Sequence, residues 1–284
     1  MLKTPLLVTR RITNRLRDIP GGVLLNDVLR RRFAKKGHKF TIQDFDNDIS
    51  INLDLGDHMQ SQIFWHGSYS REIIFLLKRL LKPGMTFVDA GANIGELSLI
   101  GAKLVGKTGE VHSFEPVARY ADQLEANLAL NPFANVRLHR VGLSDQPGDA
   151  PIFVASEYFA DGTEHNGLAT LYRSDERNLR EQTITLTPLD EAIHPERLDV
   201  IKLDVEGAEL AALKGASCQL ERHHPDLIVE IGKETCEAAG YQGSDILDYL
   251  APLGYKFYRI ARLGKLIPIK SKDLTNFQNV YCRA

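Results

Sequence analysis

Three acidic residues stand where short apolar runs end: Asp89 in FVDAGANIG (Phe87–Gly95), Glu115 in HSFEP, and Asp204 in IKLDVEGAE (Ile201–Glu209). Carboxylates at such ends can hold a cation, accept hydrogen bonds from hydroxyls, or take up a proton. The first is followed at once by a glycine-rich turn. A turn of this kind between a strand and a helix brings the chain close to a ligand, with backbone N–H groups and a helix N-terminus expected beside it. Two cofactor classes use that geometry. The dinucleotide fingerprint G-x-G-x-x-G, started at Gly91, needs glycine at positions where Asn93 and Glu96 stand, so it fails there. The alternation Asp89-x-Gly91-x-Asn93-x-Gly95, with Ala92 inside it, fits a turn that binds S-adenosylmethionine, with Asn93 in place of the middle glycine. Asparagine tolerates left-handed backbone angles better than most residues. A strand-end carboxylate also suits that cofactor, whose ammonium and sulfonium are positive, and would repel a pyrophosphate.

These residues need elements to hold them. Apolar spacing over Ile73–Leu81 marks a helix stopped by Pro83-Gly84, and Met85–Ala90 reads as a strand leading into the turn. Helix and strand patterns then alternate: a helix over Glu96–Val105, a strand at Glu110–Glu115, a helix over Val117–Leu130, and a strand at Asn135–Leu143. Asp199–Val205 is the next strand, then a helix over Glu209–Glu221, a strand at Asp226–Ile231, a helix near Ser244–Leu253, and closing strands at Tyr255–Ile260 and Asn279–Arg283. Such alternation argues for a mostly parallel sheet covered on both faces. Between the third and fourth strands lies an insertion (144–198) too long for a bare loop, with short strands expected at Pro151–Ala155 and Thr183–Thr187. Ahead of the core, residues 1–68 form an extension of one or two amphipathic helices and an antiparallel pair (His38–Ile42, Asp48–Leu53).

On this frame Glu115, with Pro116 after it, ends the second strand, where an acid can accept hydrogen bonds from both ribose hydroxyls. An exposed strand-end glutamate is the plainer alternative. The turn Val141–Asp145 faces the adenine edge, where Ser144 or Asp145 could read the purine; an ordinary Ser-Asp turn before Pro147-Gly148 is the other reading. Lys202 and Asp204 share a face by period-two alternation. For Lys202 a structural ion pair with Asp204 or Glu230 is the favoured reading, whereas Asp204 lies where acceptor should meet cofactor.

The chain has 284 residues, 43% of them hydrophobic and 25% charged, which is an ordinary globular profile that excludes disorder, collagen-like repeats and coiled coils. No apolar run is long enough for a membrane-spanning helix. Three scattered cysteines make neither a disulfide framework nor a zinc site, so a reducing, cytoplasmic setting is expected. The net charge of −2 is unevenly spread: the first forty residues carry eleven Lys or Arg against Asp18 and Asp27, leaving the rest acidic. Apolar residues interleaved with the arginines suit helices docking on the core; a homodimer partner or an anionic membrane surface are the alternatives. The acidic body argues against a nucleic-acid partner.

FVDAGANIGELSL, HSFEP, VGLSD, DVIKLDVEGAE and PDLIVEI, in that order, resemble the FkbM family of S-adenosylmethionine-dependent methyltransferases. The resemblance covers roughly Gly67–Ile231. It implies an α/β, class I (Rossmann-like), doubly wound sheet of seven strands, the last antiparallel, within a cofactor-binding domain over 69–284. It also implies methyl transfer, most often to a hydroxyl of a saccharide or natural product. Asp89, Gly91, Asn93, Gly95 and Glu115 match the cofactor pattern, and Asp204 and Glu206 match the DVEG segment. A hydroxyl is a weak nucleophile near neutral pH, so a base or metal should activate it. Asp204 is the first choice as base or positioning group, with Glu206 beside it and His66, just before the first core helix, as the alternative; His165 in the insertion is a third. Asp204, Glu206 and Glu230 could hold Mg²⁺, but no spacing demands a metal. An RNA or protein side-chain methyltransferase, and a cofactor-binding subunit without turnover, remain as other readings.

Overall fold

The computed structural model describes residues 3–16, 26–31, 38–155, 169–170 and 179–284. The chain divides into two compact units. The described part of the first comprises the residues up to Tyr69 together with 154–155 and 179–180; the second holds the remainder. His165 lies outside the described residues.

In the first unit, helices α1 (Lys3–Leu16) and α2 (26–31) precede a hairpin, β1 (Lys39–Phe45) and β2 (Ile49–Asp54), and helix α3 (His58–His66). The hairpin buries Phe40, Ile42 and Phe45 from one strand and Ile49, Ile51 and Leu53 from the other. Asp46 and Asn47 turn it with left-handed backbone angles that these residue types accept. Helix α3, absent from the sequence expectation, begins where Asp57 accepts a hydrogen bond from the Gln60 amide and stops at Gly67, which is left-handed. Helix α1 turns Leu6, Arg10 and Thr13 inward, and Arg10 donates to the Phe64 carbonyl at 3.0 Å and to Asp44 at 2.6 Å.

The second unit begins with α4 (Arg71–Leu80), β3 (Thr86–Ala90), α5 (Glu96–Val105), β4 (Glu110–Phe114), α6 (Ala118–Ala129), β5 (Val136–His139) and β6 (Gly142–Leu143). The insertion supplies β7 (Gly148–Ala155), β8 (Ala169–Thr170), β9 (Leu179–Thr187) and α7 (Leu189–Ala192). There follow β10 (Val200–Leu203), α8 (Glu209–Lys214), α9 (Ser217–His223), β11 (Asp226–Gly232), α10 (Lys233–Ala238), α11 (Gly243–Leu250), β12 (Lys256–Ala261), β13 (Lys265–Pro268) and β14 (Phe277–Arg283).

The main sheet runs β13-β12-β14-β11-β10-β3-β4-β5. Strands β3, β4, β5, β10 and β11 pair in parallel, and β14 lies antiparallel to both its neighbours. This is the doubly wound α/β architecture expected, with every residue of β3 and β10 buried. From β3 the chain winds outward to β5, then returns to lay β10 on the other flank of β3. Strand order therefore reverses between β3 and β10, the place where open α/β sheets form a ligand crevice at their carboxyl ends. Asp89, the turn 91–95 and Asp204 all sit at that edge.

Three local expectations need correction. The third strand is broken: β5 stops at His139, and Gly142–Leu143 turns aside to pair with β9 in a separate four-stranded sheet, β6-β9-β7-β8. The single helix expected over 209–221 is two helices divided at Gly215, where a side chain would lie 1.9 Å from the Ser144 carbonyl oxygen. The main sheet also has eight strands, not seven, because β13 folds back on β12 as an edge hairpin. Among the described residues no helix is long and apolar enough to cross a membrane.

Candidate active site

Asp89, next to last in β3, is almost fully buried, with one oxygen accepting a 2.6 Å hydrogen bond from the Ser98 hydroxyl, which itself accepts from Ser113. The other, Oδ1, has no hydrogen-bond partner and lies 3.8 Å from Lys202 Nζ. Burial raises the pKa of Asp89, while Lys202 and then Ser98 pull it back. This oxygen is a buried acceptor in want of a donor.

The turn that follows is bound by local necessity. Gly91 has φ +76°, and a Cβ there would lie 1.8 Å from the Asp204 carbonyl oxygen, so β10 and the turn touch backbone to backbone. Asn93 takes the left-handed angle its residue type allows (φ 50°), and its Oδ1 accepts from the Ile94 amide at 2.8 Å. Gly95 is left-handed too and packs on Leu124.

One expectation fails here in an informative way. The turn amides do not point at a ligand. Those of Gly91 and Ala92 both donate to the Phe114 carbonyl, that of Asn93 donates to Glu115, that of Ile94 to the Asn93 side chain, and that of Gly95 to Ala92. With all five satisfied within the chain, the turn lacks the free donors that a pyrophosphate needs. The sequence could not show this, because the partners of the first three amides come from the end of the next strand.

Glu115 is buried at the end of β4. One of its oxygens accepts from Asn93 N at 2.8 Å and the other from Val117 N at 2.9 Å, which ties the turn to the second strand. Burial pushes its pKa up to about 7, against the opposing pull of these two amides. Each oxygen keeps a lone pair for a further donor. Pro116 comes next and lies near Gly142, while Ser144 is held by its amide to Thr187 and packs its carbonyl against Gly215. The Ser144 hydroxyl donates to Asp145 at 3.3 Å.

Across the crevice, Lys202 is buried with its ammonium 3.1 Å from Asp204 Oδ2. Burial works against its charge, but Asp204 and Asp89 outweigh that and raise its pKa above the ordinary lysine value. Asp204 itself is about one-third exposed. Glu206 follows at a left-handed φ of 53°, beside Gly207 at 103°. That turn is shaped by Glu209, which is buried and accepts from the Val205 amide at 2.9 Å, the Gly207 amide at 3.0 Å and the Tyr241 hydroxyl at 3.1 Å. The sequence reading gave Glu209 no role; its place at the start of a helix two residues after the DVEG turn was the available signal.

Asp204, Glu206 and Glu230 each bring a carboxylate oxygen within 4.8 Å of the other two. Burial, then the Asp204 and Glu206 charges, raise Glu230 well above the usual carboxylate range. Of the four candidate proton-handling residues, Asp204 and Glu206 are thus together, and His165 lies outside the described residues. His66 ends α3 in the first unit, with its Nε2 3.4 Å from Asp27 Oδ1.

A methyltransferase FkbM domain model matches residues 89–257. The methyltransferase sdnD of Sordaria araneosa is 31% identical over 182 residues, a match covering 54% of this chain and 67% of that protein. The hexuronic acid methyltransferase AglP of Haloferax volcanii is 31% identical over 151 residues, covering 53% of this chain and 58% of that protein. The curated relatives are matched over between 11% and 67% of their own length. Among solved structures, a methyltransferase FkbM from Methylobacillus flagellatus superposes with a TM-score of 0.45 and 15% identity, covering 93% of this chain and 60% of that one.

Proposed function

The chain belongs to the FkbM methyltransferase family, and on that premise we propose that it transfers a methyl group from S-adenosylmethionine to a hydroxyl oxygen of a saccharide or natural-product acceptor by in-line displacement. The observation that carries this reading is the polarity of the β3/β10 crevice. Its turn offers no free amides, whereas Asp89 Oδ1 is buried without a hydrogen-bond donor, its nearest cation being Lys202 Nζ at 3.8 Å, and Asp204, Glu206 and Glu230 add further carboxylates. A site of that kind suits a cationic ligand. Bound there, S-adenosylmethionine supplies a methyl carbon made electrophilic by a positively charged sulfur.

The chain's own residues do the rest. Asp89 takes the cofactor's ammonium, the turn Gly91-Ala92-Asn93-Ile94-Gly95 bounds the space beside it, and Glu115 accepts the ribose hydroxyls with its remaining lone pairs. Pro116, Ser144 and Asp145 border the purine. Asp204 holds the acceptor hydroxyl and takes its proton as the new carbon–oxygen bond forms and the carbon–sulfur bond breaks. Glu206, at the rim, accepts from neighbouring acceptor hydroxyls. A relative named for hexuronic acid supports a saccharide acceptor.

Methyl-labelled S-adenosylmethionine, offered with fractionated glycans and small molecules, tests the proposal. Label is expected in a glycan or hydroxylated small molecule, and Asp204→Asn should lower its rate by about 10²- to 10⁴-fold with cofactor still bound. Undiminished transfer by Asp204→Asn together with loss in His66→Gln would move the proton-accepting role to His66. Label confined to RNA or protein would contradict the acceptor class.

A further inference from the structure

Lys202 is buried among four oxygens that belong to two different parts of the site. Its Nζ lies 3.4 Å from the Ala90 carbonyl oxygen, 3.3 Å from that of Gly91, 3.1 Å from Asp204 Oδ2 and 3.8 Å from Asp89 Oδ1. The first two open the cofactor turn; the third is the group placed against the acceptor. In register, Lys202 stands directly opposite Asp89 across the β10–β3 pair. The backbone repeats the connection, because the Asp204 amide donates to Ala90 and the Asp204 carbonyl packs on Gly91.

A buried ammonium has three donors to satisfy, so several acceptors around Lys202 are expected from burial alone; what matters is that they belong to two different parts of the site. Replacing a buried ion pair by apolar groups is often neutral or stabilising, so stability gives little reason to keep it. Here one ammonium engages both halves of the site, the two backbone carbonyls of the turn on one side and the Asp204 carboxylate on the other. We propose that Lys202 is a positioning residue that couples Asp204 to the cofactor turn, so that the orientation of the acceptor-side carboxylate and the shape of the turn are set together. The inference rests on the cofactor reading above.

A double-mutant cycle on cofactor affinity tests it, with S-adenosylhomocysteine as the probe and calorimetric titration of the full chain as the measurement. Lys202→Met is expected to weaken binding by about tenfold or more, and Lys202→Arg, which keeps a charged donor, to restore most of it. Asp204→Asn should weaken binding about threefold or more beside the native lysine and have no further effect beside Lys202→Met. That non-additivity is a result that a merely structural lysine would not give. If Lys202→Met fails to fold, the cycle is run with Lys202→Arg, where the effect of Asp204→Asn should persist but shrink. Wild-type affinity in Lys202→Met, or an equal effect of Asp204→Asn with and without the native lysine, would overturn the coupling and leave the cofactor reading standing. Failure of the wild-type chain to bind the probe would instead remove the cofactor reading, and the coupling with it.

Discussion

Glu115 shows how a single buried carboxylate can be both a brace and a liability. Its folded pKa, raised to about 7 from 4.5, means that the native chain binds more protons than the unfolded one between those values. Stability contributed by the protonated form is therefore full below about pH 4.5 and is lost as pH rises through about 7. Glu115→Gln, which stays neutral, should gain in melting temperature relative to wild type as pH is raised from 4.5 to 8. A constant difference across that range would show that Glu115 does not titrate there. The same substitution should weaken S-adenosylhomocysteine binding at pH 8, because one of the acceptor oxygens becomes a donor. The importance of Glu115 is legible in the sequence from its place after an apolar strand. Its bond to Asn93 is not, since Asn93 meets it only when β3 and β4 pair.

The turn 91–95 and the end of β10 behave as one element. Gly91→Ala places a Cβ against the Asp204 carbonyl at a backbone angle alanine avoids, and the obstructing atom is backbone that cannot swing away. A cost of about 3 kcal/mol or more in urea unfolding is expected, with cofactor affinity lost. Asn93→Gly should be tolerated within about 1 kcal/mol, since it exchanges the Ile94 cap for easier left-handed angles, while Asn93→Val should cost about 1–3 kcal/mol. Equal tolerance of glycine and valine would contradict the backbone argument. Alternation of apolar runs revealed β3, β4, β10 and β11 because each is a short buried strand framed by turns. It missed the break after His139 and the break at Gly215 for a shared reason. Both are dictated by a distant neighbour, Leu186 in one case and Ser144 in the other, rather than by the local pattern. Edge strand β13 escaped because four residues with two outer positions exposed carry too little periodicity.

For the molecule as a whole, the uneven charge gains a structural meaning. Arg10, part of the basic first forty residues, is buried in the first unit, paired with Asp44 and lying over the Phe64 ring. Some of that positive charge is thus interior scaffolding. Burial pulls the Arg10 pKa down, with Asp44 opposing and the Arg11 charge adding a smaller pull downward. Arg10→Ala should destabilise the first unit by about 1–3 kcal/mol by removing the closer donor from both Asp44 and the Phe64 carbonyl, which would keep only Arg11 at 3.6 Å and Asn14 at 3.4 Å, seen as a lowered transition in scanning calorimetry. Because Asp89, Glu115 and Asp204 all belong to the second unit, S-adenosylhomocysteine affinity should stay within about twofold of wild type. A large loss of affinity would show that the units share the cofactor site. The measurement that bears most directly on the central claim is transfer of label from methyl-labelled S-adenosylmethionine by the wild-type chain, run beside its Asp89→Asn and Asp204→Asn variants. The expected result is a methylated glycan or small molecule made by wild type, with the first variant losing cofactor binding and the second losing turnover by far more than its several-fold weaker cofactor binding explains. A wild-type chain that neither binds the cofactor nor transfers its label would contradict the claim.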